Sequence, residues 1–400
     1  MKSWPIVPLG EHLDFLTTGS RGWSEHVRDS GALFLRIQNV GRCQLMLDDV
    51  AYVDPPPGAE TERTRVAAGD VLLSVTADLG RAAVVPKGLG RAHISQHLAI
   101  LRTQTFEPRF LAAFLSLGPG RHQITSLDRG GVKSGLNFDN VRSLRVPLPP
   151  LPEQRRIADI LDKADAIRRK RKQAITLTED LLRSAFLDMF GDPVTNPRGW
   201  PQGRVEDLCS HVVDCPHTTP TYEGELRPHP CVRTADLQGG FFDWSTTRHV
   251  SETEYRTRVA RLQPEAGDVF YTREGERYGI AAILPPGVAA CLGQRMMLLR
   301  PNPVVATSEF LWASMNSPGV YRQATAEVGG STSPHVNVKS IRRFVVCRPP
   351  VELQRKYGRA CESAARARAA QQVAELHADK LFSALVQRAF GGQRELGAGL

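Results

Sequence analysis

Apolar and polar residues alternate in short runs over most of this chain, and glycine and proline separate the runs. Examples are "ALFLRIQNV" from Ala32, "DVLLSV" from Asp70 and "HLAILR" from His97. A period of two between turn residues is typical of short β-strands. Helical spacing in "RFLAAFLSL" from Arg109 and in "SEFLWASMN" from Ser308 predicts a helix that follows the strands.

Two long segments depart from this pattern. Each follows a proline-rich stretch, "PLPPLPEQ" from Pro147 and "CRPPVELQ" from Cys347, and proline is tolerated in the first turn of a helix. Apolar or small residues then recur every three or four positions, which predicts helices of about 54 Å paired along a coiled-coil seam. Homodimerisation through either seam is the alternative. The predicted seam residues are Ile157, Ile160, Ala164, Ile167, Ala174, Leu181 and Ala185 in the first segment, and Tyr357, Ala360, Ala364, Ala367, Gln371, Ala374, Ala378, Leu381 and Leu385 in the second.

The whole pattern occurs twice. "GDVLLSVTADLGRAAVVP" from Gly69 resembles "GDVFYTREGERYGIAAILP" from Gly267, and "FLAAFLSLGPGRHQI" from Phe110 resembles "FLWASMNSPGVYRQA" from Phe310. Matching landmarks keep their order and lie about 200 residues apart, so the chain is a tandem repeat of one unit.

These patterns predict an α+β fold in which two β-rich domains are separated by two long helices. The helices are expected to form an antiparallel coiled coil, and the repeat is expected to give a pseudo-two-fold arrangement. The predicted boundaries are 1–148 for the first β-rich domain, 149–191 for the first helix, 192–348 for the second β-rich domain, 349–391 for the second helix and 392–400 for a tail.

The composition favours a polyanionic partner and a reducing compartment. The chain has 51 Lys and Arg residues against 42 Asp and Glu, a formal net charge of +9. Its seven cysteines are odd in number and include no CxxC pair, so no disulfide framework is expected. No leader sequence and no membrane span are expected, which places the protein in the cytoplasm.

Duplex DNA suits two modules on a stiff spacer, because its grooves repeat every 34–36 Å or so. Since the modules differ in sequence, the two half-sites are expected to differ as well. Basic residues on the first long helix, such as Arg168 to Lys172, form either a solvated face or a contact to phosphates.

Candidate base-reading residues are arginine, lysine, asparagine, glutamine and stacking side chains on loops. For each of them the alternative is a surface or turn residue without a base contact, and Arg36 and Arg233 are alternatively partners of a buried carboxylate. The candidates are Arg21, Trp23, Arg36, Asn39, Gln96, His97, Lys133 and Ser134 in the first module, and His217, Thr218, Thr219, Tyr222, Arg233, Gln294, Arg295, Ser331 and Thr332 in the second.

Catalytic and metal motifs are weak in this sequence. "VDPPPG" from Val53 lacks the terminal aromatic residue of an adenine methyltransferase motif and is interpreted as a proline turn. Cys209, His211, Cys215 and His217 do not have the spacing of usual zinc ligands. We therefore predict no enzyme activity, no cofactor and no metal for the chain alone.

The tandem arrangement resembles the specificity (S) subunit of type I restriction–modification systems. The resemblance rests on "LPPLPEQRRIADILDKAD" from Leu148, on "FLDMFGDP" from Phe186, and on the openings 17–40 and 214–237. It implies two target-recognition domains that read a bipartite, non-palindromic site in double-stranded DNA. A coiled-coil interaction scaffold with incidental basic charge is the alternative.

The resemblance also implies that the helices dock two methyltransferase (modification) subunits and, through them, restriction subunits. The second copy departs from the pattern, since "VELQRK" stands where the first has "LPEQRR". The helix residues then expected to serve docking are Ile157, Ile160, Ala164, Ile167, Leu181, Tyr357, Ala364, Leu381 and Leu385.

Overall fold

The computed structural model describes residues 4–127, 135–224, 228–328 and 334–390. The chain forms two compact units, of which unit 1 comprises Met1–Lys172 and Val373–Leu400, and unit 2 comprises Gln173–Gln372. Within the described ranges, no helix has the length and apolar character that a bilayer crossing requires.

Unit 1 contains a four-stranded antiparallel sheet of order β2-β9-β6-β7, a second sheet of order β3-β5-β4-β8 and the pair β1-β10. The second sheet includes one parallel pair, β4 with β8. The strands are β1 (Ile6–Pro8), β2 (Phe15–Thr18), β3 (Val27–Arg28), β4 (Ala32–Leu35), β5 (Ala51–Val53), β6 (Val71–Ser74), β7 (Ala82–Val84), β8 (Ala92–Ile94), β9 (Leu98–Arg102) and β10 (Arg145–Pro147). The helices are α1 (Ala59–Thr64), α2 (Pro108–Ser116), α3 (Pro119–Leu127), α4 (Phe138–Ser143) and the long α5 (Leu151–Phe190).

Unit 2 repeats this architecture. Its sheets have the orders β12-β20-β17-β18 and β16-β13-β19, with the pairs β14-β15 and β11-β21. The strands are β11 (Gln202–Arg204), β12 (Cys209–Asp214), β13 (His229–Val232), β14 (Leu237–Gln238), β15 (Phe241–Phe242), β16 (Arg248–Val250), β17 (Val269–Thr272), β18 (Ala281–Ile283), β19 (Cys291–Leu292), β20 (Met296–Pro301) and β21 (Val345–Cys347). The helices are α6 (Val205–Leu208), α7 (Glu252–Arg258), α8 (Ser308–Met315), α9 (Pro318–Glu327), α10 (Val338–Arg343) and the long α11 (Val351–Phe390).

The central sheet of each unit is covered on both faces. In β6, Val71 and Leu73 belong to the cluster packed against the helices, whereas Leu72 belongs to the cluster beneath the second sheet. In β17, Val269 and Phe270 divide between the corresponding clusters of unit 2. Side chains that alternate between two apolar surroundings explain why these strands read as continuous apolar runs.

A buried glutamine fixes the start of each long helix to the residue that caps a short helix of the same unit, α2 in unit 1 and α8 in unit 2. The side chain of Gln154 accepts a hydrogen bond from the backbone N–H of Glu107 at 2.8 Å and donates to the carbonyl of Pro149 at 2.9 Å. Gln354 does the same with Thr307 at 2.9 Å and Pro349 at 2.8 Å. Both glutamines are fully buried, so the repeated "Q" after the proline stretch is a structural residue.

The two long helices pack together and run antiparallel, which confirms the predicted fold class. In unit 2, Tyr357 donates to the carbonyl of Leu182 at 3.3 Å, and Arg368 pairs with Glu179 at 3.1 Å. The residue number of the contact thus rises on α11 while it falls on α5, as in an antiparallel pair.

The helix seam corrects the predicted one. Ile167 and Leu181 are 52% and 66% exposed, and Leu381 is 57% exposed, so these predicted seam residues point to solvent. Ala360 and Ala367 are exposed as well. The error is a shift of one residue that is already present near the start of α5, where buried Leu161 follows the predicted Ile160. The seam residues that the prediction missed include Ala158, Leu161, Leu182, Phe186, Phe382 and Val386.

Candidate nucleic-acid interface

Four segments of unit 1 meet at one end of its central sheet. The backbone N–H of Val75 donates to the carbonyl of His97 at 3.0 Å, and that of Leu136 donates to the carbonyl of Val75 at 2.8 Å. Ser20, after β2, forms a bridge with Ser95, before β9. The loops that carry Arg21, Gln96 and His97 are therefore neighbours, although they lie far apart in the sequence.

The side chains at this meeting point are mostly uncharged. Nδ1 of His97 lies 2.6 Å from the hydroxyl of Thr76. Nε2 of Gln96 lies 3.3 Å from Nε2 of His97, and Gln96 and Arg21 are exposed. These exposed polar groups are able to donate and accept hydrogen bonds.

Unit 2 has the same backbone arrangement. The N–H of Arg273 donates to the carbonyl of Arg295 at 3.0 Å, and that of Val336 donates to the carbonyl of Arg273 at 2.9 Å. The side chain of Gln294 donates to the hydroxyl of Thr219 at 3.2 Å. The predicted loops around His217–Thr219 and Gln294–Arg295 are thus brought together.

Charged side chains surround this second meeting point. Arg273, only 5% exposed, lies 3.0 Å from Oδ1 of Asp214 and 2.6 Å from Oε1 of Glu274. Nδ1 of His335 lies 2.9 Å from the same Oε1, and Nε of Arg295 lies 3.5 Å from Oε2. The result is a network in which buried Arg273 links the loops after β12 and β17.

We call the meeting point of each unit its reading head. Reading head 1 comprises Ser20–Arg21, Thr76, Gln96–His97 and Gly135, and reading head 2 comprises Asp214–Thr219, Arg273–Glu274, Gln294–Arg295 and His335. The bridges Thr76 to Gly135 and Glu274 to His335 confirm that the two heads correspond.

Trp23 does not fit its predicted role as a base-stacking residue. It is 3% exposed and packs against Phe34 and His93, with ring centroids 6.0 and 5.5 Å apart. Its indole completes a small core between β4 and β8, and a base has no access to its face.

Asn39 is likewise structural. It is 1% exposed, and its amide donates to the carbonyls of Met46 at 2.9 Å and Asp49 at 2.7 Å. Its oxygen accepts from the N–H of Arg36 at 2.9 Å, which closes a 3₁₀ turn. With its hydrogen-bonding groups occupied, Asn39 presents nothing to a base edge.

Arg36 and Arg233 occupy matching positions and both pair with carboxylates. Arg36 lies 3.6 Å from exposed Asp49, whereas Arg233 lies 2.7 Å from fully buried Asp236. The hydrogen bonds that the Arg233 guanidinium donates to Asp236 raise the pKa of Arg233. Pairing with a buried carboxylate is the alternative that the sequence left open, and it holds for Arg233.

The other candidates differ in accessibility. His217, Thr218 and Thr219 are exposed, whereas Tyr222 is half-buried beneath the guanidinium of Arg248, 5.1 Å from its ring centroid. Four candidates, Lys133, Ser134, Ser331 and Thr332, lie outside the described residues.

Sequence reasoning missed Thr76, Asp214, Arg273, Glu274 and His335. The signal that was available is the repeat itself, because Val75-Thr76 and Arg273-Glu274 both follow the strand that begins with Gly-Asp-Val. Aligning the copies on that strand places these residues beside the predicted loops.

The residues predicted for docking divide into two groups. Ile157, Ala164 and Tyr357 are buried in the helix packing and Ile160, Ala364 and Leu385 are partly buried, whereas Ile167, Leu181 and Leu381 are exposed. Only the exposed group is open to another protein.

The cysteine and histidine residues on and beyond β12 do not form a metal site. Across residues 4–127, 135–224, 228–328 and 334–390, no group of three or more His, Cys, Asp and Glu side chains is placed to hold a metal ion. Burial raises the pKa of the Cys209 thiol to about 12, which disfavours the thiolate that metals bind.

Comparison with known proteins gives three kinds of match. Residues 59–177 match the family described as the type I restriction modification DNA specificity domain. The chain is 23% identical over 403 residues to the type I restriction enzyme EcoKI specificity subunit of Escherichia coli (strain K12), which covers 90% of this chain and 82% of that protein.

Two solved structures share the fold. The S subunit of a type I restriction–modification system from M. genitalium superposes with a TM-score of 0.57 at 12% identity, covering 97% of this chain and 96% of that one. A chain from a structure on complex assembly and conformational transition of the type I R-M system gives 0.53 at 21% identity, covering 97% of both. The matched descriptions name a specificity domain or subunit and no catalytic one. Residues 59–177 therefore carry a type I restriction modification DNA specificity domain, and the chain as a whole is similar in sequence and fold to specificity subunits of type I restriction–modification systems.

Proposed function

We propose that this chain selects the DNA sequence on which a type I restriction–modification complex acts, with each unit reading one half of a bipartite, non-palindromic site. One observation carries this proposal. A single backbone frame occurs twice, and it holds Thr76 and His97 in one reading head but Glu274 and Arg295 in the other. Because the backbone arrangement is the same in both heads, both heads can approach DNA in the same way. Because their side chains differ, they suit two different base sequences.

The net charge supports a duplex as the ligand. A formal charge of +9 favours contacts to phosphates, which would position the protein on the helix without reading its sequence. Binding should therefore weaken steeply as salt concentration rises, because each phosphate contact releases counterions.

For partners, we propose two methyltransferase subunits and, through them, restriction subunits. A related solved structure is described in terms of complex assembly. Leu181 in unit 2 and Leu381 in unit 1 are exposed at corresponding places on the two long helices. Exposed apolar side chains at two equivalent places suit two copies of one partner.

We further propose that the long helices set the distance between the two half-sites. The test lengthens both helices equally, because antiparallel partners stay in register only if both grow. Seven helix-forming residues would be inserted after Lys172 and seven after Gln372, where each helix passes from one unit to the other. Two turns add about 10.5 Å, or about three base pairs of DNA.

The measurement is a genome-wide map of methylated adenines in cells that carry the wild-type gene, the double-insertion gene or no gene. We expect the gap between half-sites to widen by about three base pairs while both half-sites stay unchanged. Insertion into α5 alone is the control and should abolish methylation, since it breaks the pairing of the helices. A changed half-site would overturn the spacer proposal, and a map independent of the gene would overturn the proposed function.

A further inference from the structure

We propose that Arg295 reads a guanine in the half-site recognised by unit 2, and that Glu274 orients it for this purpose. The inference rests on the proposed function and specifies one base of the target and the residue that recognises it. It follows from how Arg295 is held and from which of its atoms remain free.

The backbone of Arg295 is fixed in an unusual conformation. Its φ angle is +69°, in the left-handed region that side chains other than glycine rarely adopt. Its carbonyl accepts the N–H of Arg273, which belongs to the strand-end frame of reading head 2. Such a conformation persists only where the surroundings enforce it, and residues of this kind cluster at functional sites.

The guanidinium is held from one side. Nε of Arg295 faces Oε2 of Glu274 at 3.5 Å, while Oε1 of the same carboxylate is occupied by Arg273 and His335. The side chain of Glu274 is only 21% exposed, and its contacts with Arg273 and His335 hold it in position. The carboxylate therefore restrains the Nε side of Arg295 and leaves the terminal edge of the guanidinium open.

That open edge is accessible and has the geometry of a guanine reader. The side chain of Arg295 is 54% exposed. Two parallel N–H donors of a guanidinium match the O6 and N7 acceptors that guanine presents in the major groove, and no other base offers that pair of acceptors. Restraining the side chain beforehand reduces the entropy that binding would otherwise lose.

Unit 1 has no such residue at the equivalent place. His97 occupies it, and its Nδ1 is engaged with Thr76 at 2.6 Å. The two reading heads should therefore use different side chains for their strongest base preference. This gives the experiment an internal control, because the half-site of unit 1 should ignore changes at Arg295.

The test uses the intact chain in its complex and a library of duplexes with randomised positions, from which bound sequences are selected and sequenced. We expect the wild-type site to contain a guanine in the half-site of unit 2. Arg295→Ala should lower affinity for that site by about 5- to 150-fold, and the guanine preference should vanish at that one position. Arg295→Gln replaces the two parallel donors with one donor and one acceptor, a pair that matches adenine, so the preference for guanine at that position should be lost.

Two further variants separate orientation from folding. Glu274→Gln should weaken the preference at the same position by less than Arg295→Ala does, with no change elsewhere. His97→Ala should alter only the half-site of unit 1. If Arg295→Ala impairs folding, as judged by thermal unfolding, the base preference of Arg295→Gln is the deciding result.

The outcomes are distinct. Retention of the guanine preference in Arg295→Gln, a unit 2 half-site without any G·C pair, or equal loss in both half-sites would each overturn the role of Arg295. If the wild-type complex selects no sequence at all, the proposed function itself is wrong.

Discussion

The two reading heads have one backbone frame but are held together by different interactions. In head 1 the frame is lined by Val75, which is buried and apolar, and by the hydrogen-bonded side chains of Thr76 and His97. In head 2 the position of Val75 is taken by Arg273, buried between Asp214 and Glu274. The comparison shows that backbone hydrogen bonds define the frame, while side chains are free to vary within it.

This freedom has an energetic limit. A buried arginine is stable only while its carboxylate partners are present, because desolvation of an unpaired charge is costly. Head 1 has no such requirement. Substitutions in head 2 are therefore coupled to one another, whereas those in head 1 act more independently.

The largest expected effect is at Arg273. Arg273→Leu should destabilise unit 2 by about 3–5 kcal/mol, because it takes the common partner away from the half-buried carboxylates of Asp214 and Glu274. Thermal unfolding of the full chain would measure the loss. The matched control is Val75→Leu in unit 1, which changes volume but strands no charge and should cost less. Equal effects in the two units would contradict the comparison.

A smaller effect is a loss of folding stability at low pH, which we expect in unit 1 because of His93. Burial, together with repulsion from Arg91 and Arg65, lowers the pKa of His93 to about 4. In the unfolded chain the same group takes its proton near pH 6.5. Between these values the unfolded state binds more protons, so stability should fall by roughly 2–4 kcal/mol as pH drops from 6.5 to 4.

The control for this pH effect is a cysteine at the position of His93, because unit 2 has a cysteine at the matching strand position. His93 pairs with Phe34 in unit 1, as Cys291 pairs with Cys231 in unit 2. The hydrogen bond to Cys231 raises the pKa of the Cys291 thiol, so it takes up no proton in this range. His93→Cys should flatten this part of the acid dependence in unfolding measured across pH. An unchanged acid slope would show that another group is responsible.

The smallest effect concerns the helices, where the units should behave alike. Leu181→Gln and Leu381→Gln change exposed side chains, so each should shift stability by less than about 0.5 kcal/mol. Their neighbours Leu182 and Phe382 are buried, and the same substitution there should cost several times more. Calorimetry of the four variants would measure this contrast. A large effect at the exposed leucines would restore the seam first expected from the sequence.

Sequence alone was sufficient for the repeat, the two long helices and the strands. These features depend on local periodicity, which is legible within a short window. The phase of the helix seam was not, since apolar residues stand at adjacent positions such as Ile160 and Leu161 or Leu181 and Leu182, and only the packing shows which of the two is buried.

The reading heads were only partly predictable. Arg21, Gln96 and His217 were identified from residue type, but residue type does not separate Asn39, which closes a turn, from an asparagine that is free to read a base. Burial decides between them, and burial depends on contacts between residues far apart in the chain. The role of Arg273 was hidden for the same reason, because its partner Asp214 lies 59 positions away.

The far end of each long helix completes the core of the unit that the other repeat begins. Phe382, Val386 and Phe390 of α11 pack into the cluster of unit 1, and Leu182, Phe186 and Phe190 of α5 pack into that of unit 2. Each unit therefore folds around three aromatic or aliphatic side chains that come from the far end of a long helix. A loop substitution leaves these three contacts in place, whereas a substitution at a helix end disturbs the core of the unit that the end enters.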